Sequence, residues 1–282
     1  MIQPKYFSFN HETAISNIFQ KKINFEDVKD KAINEWANLK QILEDNYFEI
    51  VELVPSPKSP DGLFPNWFMT HKNRYDLFSM EAQNRRHEIN TESLFILNKK
   101  HELNLDFRKF SSEKKFLEST SSLVLDRINH IAYCALSSRS DINLAKKWCD
   151  EYKYKLISFT TTLANKPIYH TNVLIWIGHH IAGIGNELIT SSNIENIFRN
   201  LGNRKILKFN SQQIINFCGN MIELENKKGL RCLLMSKRAH HHLLQDQLQV
   251  INKSIDKKII VDLDIIEKIG GGSVRCLIQE IY

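Results

Sequence analysis

Gly270-Gly271-Gly272-Ser273-Val274-Arg275-Cys276-Leu277 sets one cysteine behind three consecutive glycines and ahead of an apolar run that reads as a strand. Glycine gives up side-chain packing for backbone freedom, so such a loop turns tightly and lets a small molecule approach the main chain. Arg275 stands beside the sulfur in sequence, where positive charge favours the thiolate, the form that acts as a nucleophile. The segment reads either as the seat of a nucleophile or as a glycine-rich loop ending in a buried structural cysteine.

Composition narrows the setting. The chain has 282 residues, 42% hydrophobic and 25% charged, the balance of a soluble globular protein. Its net charge of +6 is spread along the sequence, and without a concentrated basic stripe no nucleic-acid partner is expected. No apolar run reaches the roughly 18 residues of a membrane helix, so no membrane partner is expected. Met1 to Tyr6 shows no basic segment followed by an apolar stretch and a cleavage site, and the expected location is cytoplasmic. Five cysteines, Cys134, Cys149, Cys218, Cys232 and Cys276, are never spaced as a Cys-x-x-Cys pair, which argues against a disulfide framework and a zinc site. His240-His241-His242 follows Lys237-Arg238 with no carboxylate at ligand spacing and reads as a solvated helix face. No metal and no cofactor are expected, and a homo-oligomer is compatible with all of this.

Five segments place small or polar residues just before an apolar run. They are Phe64 to Met69, Leu117 to Leu125, Tyr169 to Trp176, Cys218 to Leu224 and the terminal glycine-rich loop. They recur roughly every 50 residues, long enough for one supersecondary unit each. Between them lie helical patterns over Phe25 to Glu44, Asp141 to Tyr152 with Asp141 as N-cap, Ser191 to Leu201 with Gly202 as C-cap, and Ser236 to Ile251. Strands are expected at Glu49 to Val54, Lys155 to Phe159, Lys205 to Phe209 and Lys258 to Val261. Five such units close most economically into a ring, which would gather their polar loops around one cleft. Asn66, Glu118, His170, Asn172, Asn220 and Cys276 then meet, supplying a thiol, an imidazole and a carboxylate.

The same segments carry a family resemblance. Phe64-Pro65-Asn66-Trp67, Asn84-Arg85-Arg86, Phe116-Leu117-Glu118-Ser119-Thr120-Ser121-Ser122, Pro167-Ile168-Tyr169-His170-Thr171-Asn172-Val173, Cys218-Gly219-Asn220-Met221 and Ile269 to Cys276 resemble the guanidino-group-modifying superfamily. That superfamily has the pentein fold of arginine deiminases, dimethylarginine hydrolases and amidinotransferases, and the nearest branch is the amidinotransferase-like group linked to citrulline use. The resemblance covers nearly the whole chain. It implies one domain over residues 1–282, an α/β propeller of five strand–helix repeats around a central active-site cleft. It also implies Cys276 as nucleophile, His170 as general acid and base, and Glu118 as the carboxylate that holds the reacting nitrogen.

One departure bears on the substrate. Family members that bind a cationic guanidinium commonly carry aspartates where this chain has Asn66 and Asn172. An amide donates as well as accepts, so the pair suits a ureido group, which has a carbonyl oxygen and no charge. Asp61 lies close enough in sequence to serve as the carboxylate instead. An α-amino acid substrate also needs a clamp for its carboxylate: Arg86 is the first choice, with Arg85 and Arg275 as alternatives. The expected activity is a metal-free thiol hydrolase acting on a carbon–nitrogen bond of a ureido or guanidino amino acid, citrulline before arginine. An amidinotransferase with the same triad, or a silent binding module on the same fold, stands as the alternative.

Overall fold

The computed structural model describes residues 1–23, 26–190 and 194–282. Phe25 and Ser191, the expected first residues of two helices, lie outside the described residues. The chain opens with helix α1 (Val28–Asp45), whose Ala32, Trp36, Leu39 and Leu43 form one buried face at three- and four-residue spacing.

Four three-stranded sheets follow, each built to one plan: two antiparallel strands, a helical crossover, then a third strand parallel to the second. The first holds β1 (Phe68–His71), β2 (Arg74–Leu77) and β3 (Glu102–Asp106), with α2 (Thr91–Asn98) in the crossover. Next come α3 (Ser119–Ser122), β4 (Val124–Asp126), β5 (Ile131–Ala135), α4 (Ile142–Tyr152) and β6 (Lys155–Phe159). The third sheet is β7 (Ile175–Ile177), β8 (Ile181–Ile184) and β9 (Lys205–Lys208), crossed by α5 (Ile194–Asn200). After α6 (Ser211–Ile215), the fourth is β10 (Ile222–Glu225), β11 (Arg231–Ser236) and β12 (Lys257–Val261), crossed by α7 (Lys237–His242) and α8 (Gln245–Ser254). A π-helical turn (Ile266–Gly270) and helix α9 (Val274–Leu277) end the regular structure.

Several sequence expectations change here. Glu49 to Val54 forms no strand: Leu53 makes one isolated parallel bridge to Ile2. Pro4 and Pro55 flank that bridge, and proline withholds the N–H that a ladder needs. The described residues thus hold four sheets where five repeats were expected. Asp141 caps α4 as expected, accepting from the backbone N–H of Asn143 and Leu144. The helix expected over Ser236 to Ile251 is two. Ser236 caps α7, and Gln247 Oε1 accepts from Leu244 N at 2.9 Å to begin α8. The apolar run after Cys276 begins as the turn of α9, because the Ser273 carbonyl accepts from both Cys276 and Leu277 N–H groups.

The largest core cluster spans α1 and the last three sheets, where Tyr133, Trp176, Ile184, Leu234 and Ile259 are buried together. The polar loops that precede β4, β7 and β10 enter this interior and carry the residues of interest.

Candidate active site

Cys276 is held from behind. Ser273, the residue before α9, donates its N–H to Asn220 Oδ1 at 3.2 Å and its hydroxyl to Glu267 Oε1 at 2.6 Å. Gly271 has φ +64, and a Cβ there would stand 2.7 Å from Asn17 Nδ2, so both conformation and space require glycine. Asn220 Nδ2 donates to the Cys276 sulfur at 3.2 Å, and the thiol faces Asn172 Oδ1 at 3.7 Å. Burial pushes the thiol above its ordinary value; the Asn220 hydrogen bond, the Ser273 backbone contact, the Arg275 charge and Asn172 pull the other way. Arg275 is not at the sulfur: the α9 turn swings it to the Ile278 carbonyl at 2.6 Å and Glu280 at 2.9 Å.

Glu118 and His170 come from two different sheet units. Ser119, at φ +50, takes the left-handed conformation that turns the chain into α3. Glu118 is completely buried; its Oε1 accepts from Glu81 N at 2.9 Å and its Oε2 lies 2.7 Å from His170 Nε2. Arg139 Nη1 is 3.6 Å from the same oxygen. Burial alone would raise the Glu118 carboxyl, but Arg139, the His170 bond and Arg85 outweigh it and hold the group well below the carboxylate range. Burial lowers His170 more than Glu118 raises it, so the ring is neutral near pH 7. With the Nε2 hydrogen facing a carboxylate, Nδ1 carries the lone pair. The His170 ring rests 4.5 Å from that of Tyr169, whose hydroxyl donates to the Gly271 carbonyl at 2.7 Å and ties the histidine segment to the cysteine loop.

Cys276, His170 and Tyr169 line one small cavity with Asn17, Asp61, Phe64, Asn66, Arg85 and Arg139, and Glu118 stands behind His170 without lining it. Larger hollows of about 920 and 1570 Å³ contain neither His170 nor Cys276. Convergence of thiol and imidazole, not size, singles out the smaller one. Asn66 Oδ1 accepts from Ser121, and its Nδ2 has no hydrogen-bond partner among the described residues. Asp61 is already engaged: it accepts from Asn10 at 2.7 Å and Thr13 at 2.8 Å, with Arg85 Nε at 3.6 Å. Asn172 and Asn220 stand behind the sulfur and do not line the cavity.

Of the three arginines expected as a carboxylate clamp, Arg85 alone lines the cavity. Arg86 points away, donating to the carbonyls of Met80 and Glu81 over the ring of Phe116. Its neighbour Arg85 lines the cavity, gripped by Glu88 through Nε at 2.6 Å and Nη2 at 2.9 Å. Adjacent residues of a tight helical turn face different directions, and only one can look inward. The sequence reading also missed Arg139, fully buried and donating to Thr13 O at 2.7 Å and Ser16 Oγ at 2.8 Å. Its one sequence signal is an arginine set among serines just before the N-cap of α4.

Residues 10–20 close the cavity from above. Asn10 and Thr13 bond Asp61, Ser16 bonds Arg139, and Asn17 reaches the carbonyls of Gly270 and Gly271 at 3.4 and 3.3 Å. Among the described residues, no group of three or more His, Cys, Asp or Glu side chains is placed to hold a metal ion. His240, His241 and His242 form the last turn of α7. No helix among the described residues is long and apolar enough to cross a membrane.

Residues 3–282 match the family described as "N,N dimethylarginine dimethylhydrolase, eukaryotic". Comparison with curated proteins finds no match. Among solved structures, the N-terminal domain of ArgZ, an arginine dihydrolase of cyanobacteria, in its substrate-bound form gives a TM-score of 0.80 at 12% identity, over 98% of this chain and 95% of that one. AgrE in complex with L-arginine gives 0.80 at 14% identity, over 100% of this chain and 40% of that longer one. A dimethylarginine dimethylaminohydrolase adduct with S-methyl-L-thiocitrulline gives 0.64 at 14% identity, over 93% and 94%. At these identities the structures share the α/β fold of the pentein enzymes. The chain belongs to the N,N dimethylarginine dimethylhydrolase family, within the guanidino-modifying pentein superfamily.

Proposed function

We propose that this family member is a cysteine-dependent hydrolase that cleaves a carbon–nitrogen bond of a ureido or guanidino amino acid through a covalent intermediate on Cys276, with citrulline favoured and arginine next. One observation carries the reading: a thiol and an imidazole reach one buried cavity from distant parts of the chain, the imidazole backed by a carboxylate.

The chemistry follows from the groups present. A carbon flanked by nitrogens is a poor electrophile, so a thiolate must attack it while a proton donor assists the departing nitrogen. His170, neutral at rest, takes the Cys276 proton at Nδ1, and the sulfur adds to the substrate carbon. The imidazolium then protonates the leaving nitrogen, which departs as ammonia and leaves a thioester-like adduct on Cys276. Neutral again, His170 deprotonates a water that attacks the adduct carbon and releases the thiolate. Glu118 stays ionised and stabilises the transient imidazolium.

Asn66 bears on the substrate. Its free Nδ2 is a donor at the cavity wall, suited to a ureido oxygen, whereas a guanidinium offers only donors. Two successive hydrolyses of a guanidino group pass through a ureido group by simple stoichiometry. The dihydrolase activity named for ArgZ is therefore compatible with a site that prefers the second stage. For the substrate carboxylate we assign Arg85 and Arg139 in place of Arg86. Arg85 Nη1 has no hydrogen-bond partner among the described residues, and Arg139 Nη1 has only Glu118 at 3.6 Å.

Mass spectrometry of products from citrulline, from arginine, and from arginine plus glycine tests the reading. Ammonia released from citrulline supports it, and a new guanidino product with glycine would establish the transferase instead. No turnover of any of the three, with Cys276 no more reactive than Cys134, would leave a binding module.

A further inference from the structure

Gly270, Gly271 and Gly272 give the loop ahead of Cys276 its freedom, and that freedom must be removed if the sulfur is to occupy one place. Glu267, only 1% exposed in the π-helical turn, braces the loop at two points. Its carbonyl accepts from Gly271 N–H at 3.1 Å, and its Oε1 accepts from the Ser273 hydroxyl at 2.6 Å. Gly272 is thereby spanned by two anchors on one residue.

Ser273 passes the restraint on. A serine before a helical turn ordinarily caps it, yet this side chain makes no cap hydrogen bond to α9 and goes to Glu267 instead. Its N–H donates to Asn220 Oδ1 at 3.2 Å, and Asn220 Nδ2 donates to the Cys276 sulfur at 3.2 Å. Its carbonyl accepts from Cys276 N–H at 3.0 Å. Ser273 therefore holds the cysteine through the backbone on one side and through Asn220 on the other.

The second oxygen of Glu267 is held from α7. Arg238 Nε lies 3.1 Å from Glu267 Oε2, and Arg238 Nη2 donates to Asp264 Oδ1 at 3.1 Å. Lys268 Nζ grips the other oxygen of Asp264 at 2.6 Å. A buried ion pair is weak evidence for stability, because taking charges out of water offsets their attraction. This pair supplies a fixed acceptor: Arg238 favours the ionised form against the burial that pushes the carboxyl up, and a carboxylate only accepts, so the Ser273 hydroxyl has one direction to donate.

We infer that Glu267 is a positioning residue for the reaction: through Ser273 it fixes where the Cys276 sulfur stands relative to a substrate carbon, and Arg238 fixes Glu267. The inference rests on the reading of Cys276 as nucleophile. Attack requires an approach of about 3 to 3.5 Å, and a displacement of about 1 Å can cost about a hundredfold in rate. Glu267, Ser273 and Arg238 do not line the cavity, so replacing them leaves the substrate's own contacts in place.

Steady-state kinetics on citrulline and arginine test this, with each protein measured on its own pH plateau so that ionisation of the thiol does not enter. Ser273→Ala should lower kcat about tenfold or more with KM little changed. Glu267→Gln, which gives up an acceptor toward either Ser273 or Arg238, should act in the same direction. The double variant should be no slower than the worse single one, because both remove one restraint. Additive losses, or a lowered melting temperature with kcat unchanged, are what a merely structural role gives and would overturn the inference. If Ser273→Ala does not fold, Arg238→Gln carries the test from a partly exposed position: it frees the second oxygen of Glu267, and kcat should fall with KM little changed. An unchanged kcat in a folded Ser273→Ala or Arg238→Gln protein overturns the positioning role alone. A wild type without turnover, its Cys276 no more reactive toward 2-chloroacetamidine than Cys134, overturns the nucleophile and the positioning role together.

Discussion

Glu118 Oε2 stands 2.7 Å from His170 Nε2, and both side chains are shut off from solvent. The other carboxylate oxygen is pinned by the backbone N–H of Glu81, so the acid cannot turn away from the ring. A buried carboxylate fixed in this manner sets the imidazole tautomer and favours positive charge on the ring.

Replacing that carboxylate tests its charge separately from its shape. Glu118→Gln should lower kcat about a hundredfold or more, the scale of a general acid–base contribution, with a smaller change in KM. Steady-state kinetics on citrulline and arginine read the split.

Cys276→Ser should abolish turnover, a loss of at least about a thousandfold, with the thermal melting curve little changed because a hydroxyl occupies nearly the space of the thiol. Wild-type turnover from this variant would remove Cys276 as nucleophile. His170→Ala should leave a folded protein whose Cys276 reacts slowly with 2-chloroacetamidine at neutral pH, the thiol having lost its proton acceptor.

The assignment of Arg85 and Arg139 to a substrate carboxylate predicts a dependence on substrate structure. Arg139→Lys keeps the charge but loses the planar fork, so KM for arginine should rise about tenfold, the worth of one charge-assisted hydrogen bond. For 4-guanidinobutylamine, which lacks the carboxylate, KM should hardly move. Equal increases for the two compounds would count against the clamp.

What the sequence disclosed and what it hid have separate physical causes. Cys276, Glu118 and His170 sit in segments whose glycines, serines and hydroxyl-rich turns mark special backbone, so local composition gave them away. Arg139 could not be found in that manner, because its partners Thr13 and Ser16 lie more than 120 positions earlier in the chain. Arg85 and Arg86 are chemically equal in sequence and differ only in which side of a short helical turn each occupies. Strand–helix alternation was legible for the last three sheets from apolar periodicity, whereas α2 and β3 of the first sheet went unread. Glu49 to Val54 has the same apolar pattern, yet its pairing stops at one bridge beside two prolines.

Asp76 yields a prediction on stability. It accepts from Trp148 Nε1 at 2.8 Å, Tyr152 hydroxyl at 2.8 Å and Leu105 N at 3.0 Å. Burial nonetheless pushes it from its ordinary 3.8 up to about 6, the three donors opposing. A raised carboxyl binds its proton more tightly when folded. The stability that proton contributes is fully present below about pH 4 and is lost as pH rises through about 6. The melting temperature of the wild type minus that of Asp76→Asn should therefore be largest near pH 4 and shrink toward pH 7. A difference that grows with pH would reverse the argument.

Asn17 holds the carbonyls of Gly270 and Gly271 across more than 250 residues of chain. Two stretches far apart in the sequence must therefore join before the cavity has both walls. A nascent chain or a fragment clipped ahead of Cys276 carries the imidazole and the acid with nothing for them to activate. Under the proposed function, the imidazole and the thiol face one cavity only once that contact has formed, so a chain that has not joined them is chemically silent.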